Sequence, residues 1–129
     1  MAPTFHEHLP YTRPDVGDMS RRISTWLWQA NYPFALLVRW TPTDPAWVVS
    51  RDLIALGLHE PTGVGDVRVV PDGYQVHIGL SSPSGVARLT FPRIRVATYI
   101  ETTERMVPPH HEHRWFDIDA EIARLGVGS

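Results

Sequence analysis

The chain has 129 residues, which suits one domain with a real core and leaves little room for a second. Its 43% hydrophobic and 20% charged content reads as globular, and its formal net charge of -2, with every basic residue an arginine, argues against a protein whose main work is gripping phosphates. The absence of cysteine excludes disulfides, thiolate metal centres and a cysteine nucleophile. No apolar run approaches the ~20 residues of a membrane span, and no secretory signal is visible, so a cytoplasmic chain without membrane insertion is expected.

Residues 1–22 read as an N-terminal arm. Pro3, Pro10 and Pro14 interrupt regular structure, and His6, Glu7, His8, Asp15 and Asp18 keep the stretch polar. The remainder, 23–129, reads as a single domain. Strand signals begin near Ser24, with Trp26 and Trp28 on one face, and continue through Phe34–Trp40 and Trp47–Val49. One further strand could lie in the N-terminal third. A short helix follows, capped by Ser50, with Asp52 in its first turn. Gly57 is expected to close it in the left-handed conformation, with Leu58 folding back on Leu53.

A β-meander comes next. Val67–Val70 leads into the turn Pro71-Asp72-Gly73, and Tyr74, Val76, Ile78 and Leu80 then share one face, with Gln75, His77, Gly79 and Ser81 on the wetter one. After the turn Ser81–Gly85, Ala87, Leu89 and Phe91 line the inner face of another strand. Pro92 can open a helix in which Val96, Tyr99, Ile100, Thr103 and Val107 share one side; the many β-branched residues leave a strand open as the alternative. A last helix is expected from Asp117 to Gly126, with Ile118, Ile122 and Leu125 as its apolar stripe. Strands in runs with helices between them give an α+β fold with antiparallel sheets.

Several groups could carry chemistry. His110, His111 and His113, with Glu112 among them, are the densest set of metal-ligand types, but no distant pair is fixed by spacing to complete a shell, so a solvated loop is the reading and no metal is assigned. Gly63-Val64-Gly65-Asp66 lies after a helix and before a strand, the reverse of a phosphate-cradling loop, and reads as a tight connection. No serine sits in a Gly-x-Ser-x-Gly elbow. Asp117 and Asp119 read as helix N-terminal charges. Tryptophans near arginines could stack single-stranded bases, but buried packing is favoured for Trp40 and Trp47. Trp26, Trp28 and Trp115 are candidates for a subunit or partner interface, where tryptophan is enriched. Arg93 and Tyr99, on the helix after Pro92, join that candidate interface.

The stretch 47–69, WVVSRDLIALGLHEPTGVGDVRV, resembles the signature of the SsgA-like sporulation and cell-division proteins of filamentous actinomycetes. The residues that carry the likeness are Trp47, Arg51, Asp52, Leu53, Gly57, Leu58, Pro61, Gly63, Gly65, Asp66 and Val67. Ser82, Pro83 and Gly85 are similar to a second signature, and Phe116–Ile122 is similar to the family's C-terminal helix. The likeness covers about residues 33 to 125; the first third and the His110–His113 loop depart from the family. The signature positions are expected to be structural. The resemblance implies a Whirly-like fold of two antiparallel β-sheets with interleaved and C-terminal helices, a homotrimer, and no catalysis or cofactor. It also implies a sporulation-linked role at division septa, through FtsZ or another divisome protein. A single-stranded nucleic-acid binder is the alternative that the fold would allow.

Overall fold

In a computed structural model, residues 3–109 are described. The chain runs β1 (Thr4–Arg13), a 3-10 turn (Pro14–Val16), β2 (Asp18–Gln29), β3 (Tyr32–Arg39), β4 (Trp47–Ser50), α1 (Arg51–Gly57), β5 (Thr62–Val64), β6 (Val67–Asp72), β7 (Gln75–Ser82), β8 (Gly85–Pro92) and α2 (Arg93–Met106). The α+β class is as expected. Among the described residues, the eight strands form one antiparallel sheet in the order β4-β3-β2-β1-β8-β7-β6-β5. The helix expected from Asp117 lies outside the described residues.

The resemblance implies two antiparallel sheets; the structure instead joins two four-stranded halves along a seam between β1 and β8 at one residue pair, Thr12 with Thr90. Continuing that register would set Pro10 opposite Pro92, and neither has an N–H with which to extend the ladder. On the other side the 3-10 turn closes the seam. Asp15 accepts a hydrogen bond from the Arg88 backbone N–H at 3.0 Å and from the Arg13 Nε at 2.8 Å.

The stretch expected as an arm is instead the sheet's central strand and the start of β2. Leu9 and Tyr11, two residues apart, are buried, and Phe5 packs against the same core and stacks on Tyr99 at 4.7 Å. The Tyr99 hydroxyl donates to the Phe5 carbonyl at 2.8 Å, which ties β1 to α2. Three prolines suggested irregular chain, but the period-two apolar pattern beneath them decides the structure.

Both helices pack on the core side. Ser50 caps α1 as its side chain accepts from the Leu53 N–H at 3.2 Å. The stretch after Pro92 is a helix that buries Val96, Tyr99, Ile100 and Thr103, and its β-branched residues are outweighed by that stripe.

Gly57 departs from expectation. It is the last residue of α1 and has no positive φ; the right-handed Leu58 caps the helix. A Cβ on Gly57 would fall inside the Val69 side chain. Glycine is there to let α1 lie against β6, not to reverse the chain.

Two alternation readings also change. Tyr74, expected on the inner face, sits in the two-residue turn between β6 and β7 and is 96% exposed. His77, expected on the wetter face, is only 6% exposed.

Candidate interaction surface

The signature positions resolve into a scaffold. Arg51 is buried, and its Nη1 donates to the carbonyls of Val107 at 2.9 Å and Thr103 at 3.3 Å, with the guanidinium over the Trp28 ring at 5.7 Å. A positive charge thus sits at the C-terminal end of α2, where unpaired carbonyls collect. Leu53, Leu58 and Val67 are core residues, while Trp47 is half-buried and packs against that core. Asp52 is exposed in the first turn of α1, and Pro61 follows the helix on the surface. Gly65 and Asp66 form the turn between β5 and β6, with Gly65 at φ +59°, and Gly63 pairs with Arg68. Ser82 pairs with Gly85 across Pro83 and Ser84, closing the β7–β8 hairpin.

The candidate interface positions behave differently. Trp26 and Trp28 are fully buried, and Tyr99 nearly so. Trp26 meets Phe91 and Tyr99 edge-on at 5.5 Å, its Nε1 donates to Ser24, and Trp28 donates to the Pro33 carbonyl. These side chains therefore build the core and offer nothing to a partner. Arg93 is half-buried, and its Nε donates to the Leu58 carbonyl at 2.9 Å, securing the end of α1. Trp115 and the His110–His113 loop lie outside the described residues. Among the described residues, no three His, Asp or Glu side chains gather as metal ligands.

The surface that remains is the sheet face opposite the helices. Leu27 pairs with Leu37, and Leu37 with Val48, so one cross-strand apolar row runs over β2, β3 and β4. Leu37 is 39% and Val48 66% exposed. His6 of β1 stands opposite Leu27 and extends the row. Two shallow cavities, about 410 and 180 Å³, share Leu27 and Leu37 as lining, with Arg39 at the edge of the larger. The sequence reading missed this row. Its signal was present: Trp26-Leu27-Trp28, Leu36-Leu37-Val38 and Val48-Val49 are unbroken apolar runs, which make both strand faces apolar.

A polar chain crosses the other half of the sheet. His77 Nδ1 lies 2.8 Å from the Thr90 hydroxyl, and its Nε2 lies 2.9 Å from an Asp72 carboxylate oxygen. Thr90 and His77 are cross-strand neighbours. Hydroxyl, imidazole and carboxylate in that order could move a proton. Here each partner satisfies a polar group that burial would otherwise leave unpaired.

Ionisation follows local contacts. The Ser20 hydroxyl and the Arg22 guanidinium hold Asp18 well below the usual carboxylate range. Arg13 pulls Asp15 the same way, with help from the Arg88 N–H. Burial pushes the phenols of Tyr11 and Tyr99 up, so both stay protonated donors.

No helix among the described residues is long and apolar enough to cross a membrane. Residues 23–112 match the family described as Streptomyces sporulation and cell division protein, SsgA. The chain belongs to the SsgA family. Relatives of this SsgA-family chain include the sporulation-specific cell division protein SsgB of Streptomyces coelicolor, 47% identical over 61% of each chain. SsgB of Kineococcus radiotolerans is 35% identical over 93% of this chain and 89% of its own length. A solved structure from work on SsgB mutations and longitudinal division in S. coelicolor superposes with a TM-score of 0.79 at 35% identity, over 90% of this chain and 98% of that one. An SsgA-like sporulation-specific cell division protein from Thermobifida fusca gives the same TM-score at 28% identity, over 95% and 96%. The SsgA-like resemblance read from residues 47–69 is thereby established, and these relatives are named as division proteins of sporulation.

Proposed function

We propose that this chain is a non-enzymatic regulator of sporulation-linked cell division, an adaptor that recruits or modulates FtsZ or another septal protein. Family membership supports the process. The observation that carries the adaptor role is the exposed Leu27–Leu37–Val48 row, an apolar surface that a chain otherwise rich in buried aromatics leaves facing water. A homotrimer accounts for it: each copy covers part of the row, and the assembly offers a polymeric partner several copies of one weak site, which raises avidity through effective concentration. The protein then works in the cytoplasm at division septa. The two four-stranded halves joined at one pair are compatible with a Whirly-like plan. The nucleic-acid alternative loses its main support, because Trp26 and Trp28, the aromatics nearest Arg21 and Arg22 in sequence, are buried and cannot stack on bases.

The test is a pull-down from an actinomycete lysate with the full chain as bait, probed for FtsZ and other septal proteins. Enrichment of FtsZ, lost with Leu37→Asp, is the expected result. Retention of FtsZ on neither protein, with no other septal protein captured, overturns the adaptor reading.

A further inference from the structure

In an irregular arm, His6 and His8 would be two unrelated polar residues. On β1 they are two apart, so both project from the outer sheet face, His6 opposite Leu27 and His8 opposite Thr25. Both are exposed, and their rings stand 5.1 Å apart at the centroids, with the planes at 68°. Imidazole nitrogens bind zinc at about 2.0–2.1 Å, so two rings on one tetrahedral ion have centroids about 5 Å apart. The spacing on β1 is therefore that of a chelating pair.

The surroundings hold this pair in place. Strand β2 pairs with every residue of β1 from Thr4 to Tyr11. From the side of β1 that carries α2, the Tyr99 hydroxyl donates to the Phe5 carbonyl and Arg95 Nη2 donates to the His8 carbonyl at 3.1 Å. The backbone on either side of His6 is thus fixed before any ion arrives. The Thr25 hydroxyl lies 3.4 Å from His8 Nδ1. That leaves Nε2 to face an ion, and it matches the partner that a metal-bound imidazole takes on its other nitrogen. Glu7 stands opposite the buried Trp26, on the helix side of the sheet, so imidazole is the ligand type that this stretch presents outward. Imidazoles without a carboxylate suit Cu2+, Ni2+ and Zn2+ and not Mg2+ or Ca2+, which take oxygen. Arg39 lies across Thr25, two strands and about 10 Å from His8, where solvent and salt screen most of its repulsion.

We propose that His6 and His8 form a two-imidazole site for a divalent transition-metal ion, with water completing its shell. The ion lies opposite Leu27, at the end of the Leu27–Leu37–Val48 row. Binding there requires neither a division partner nor a trimer.

The test uses the full chain without a His tag, isotopically labelled and near neutral pH. Zn2+ is titrated and followed by amide and imidazole NMR shifts, and substoichiometric Cu2+, which broadens signals close to it, locates the ion. Saturable shifts of the His6 and His8 rings and of the Thr25 and Leu27 amides are expected, with Cu2+ broadening at the same positions and no response to Mg2+. His6→Gln and His8→Gln should each weaken binding there at least about tenfold, because either removes the second, intramolecular bond. Glu7→Gln, on the other face, should leave the affinity unchanged. Both His side chains are exposed, so the folded spectrum is retained in their variants. Lack of saturable shifts at these positions below about 1 mM Zn2+, undiminished binding in either His variant, or an equal response to Mg2+ overturns the proposal. So does Cu2+ broadening confined to His110, His111 and His113, which would place the metal in that loop. The titration needs no division protein, so its failure is distinct from a failed FtsZ pull-down.

Discussion

Arg51 is a buried cation whose removal takes the guanidinium donor from the Val107 carbonyl just past α2, a second donor from the Thr103 carbonyl, and the cover from the Trp28 ring. Arg51→Met is expected to destabilise the fold by about 2–4 kcal/mol, read from urea unfolding, because breaking a buried charged contact strands its partners. Arg51→Lys should recover little, since an ammonium cannot place its protons as the planar fork does. Unfolding midpoints unchanged within error in both variants would refute the assignment. Gly57 makes a second point. Alanine should strengthen an isolated helix by about 1 kcal/mol. Here its methyl would enter Val69, so Gly57→Ala is expected to lose about 2 kcal/mol net, with the strain carried between α1 and β6. A stabilised Gly57→Ala would show that the helix can shift off the sheet without penalty.

Between elements, the seam of β1 and β8 is the joint with the fewest backbone pairs, and Asp15 secures one side of it. The Asp15 carboxyl is held below its ordinary value, chiefly by its bond from Arg13. A carboxyl with a lower pKa in the folded state binds its proton first when unfolded. Its stabilising effect is therefore complete above the unfolded value near pH 4 and fades as pH falls toward the folded value. Asp15→Asn should reduce stability by about 1 kcal/mol at pH 6 and by much less at pH 3, measured as paired denaturation curves. A pH-independent difference would mean that the charge is not what holds the turn. At α1, Ser50→Ala is expected to lose about 1 kcal/mol through its cap, an effect of similar size but independent of pH.

For the whole molecule, the question is what covers the apolar row on the outer sheet face. Placing a carboxylate at Leu37 sets a charge in the middle of Leu27, Leu37 and Val48 while leaving the opposite, buried side of β3 untouched. Under the homotrimer proposed above, light scattering should give a trimer for the parent chain and a monomer for Leu37→Asp, with an unchanged circular dichroism spectrum. A parent chain that is monomeric at working concentration removes the avidity argument, and a trimeric Leu37→Asp moves the interface elsewhere.

Period and punctuation in the amino-acid order were enough for β3, β4, β6, β7 and β8, for α1 from its Ser50 cap, and for the buried stripe of α2. The long signature at 47–69 was enough for the family, although Gly57 and Arg51 within it answer to contacts with β6 and with the end of α2. Tertiary packing decided the rest. It made β1 a central strand despite three prolines, since Leu9 and Tyr11 had a core to enter. It turned Trp26, Trp28 and Tyr99 from interface candidates into core, since a residue's type fixes its affinity for burial but not whether neighbours or a partner will bury it.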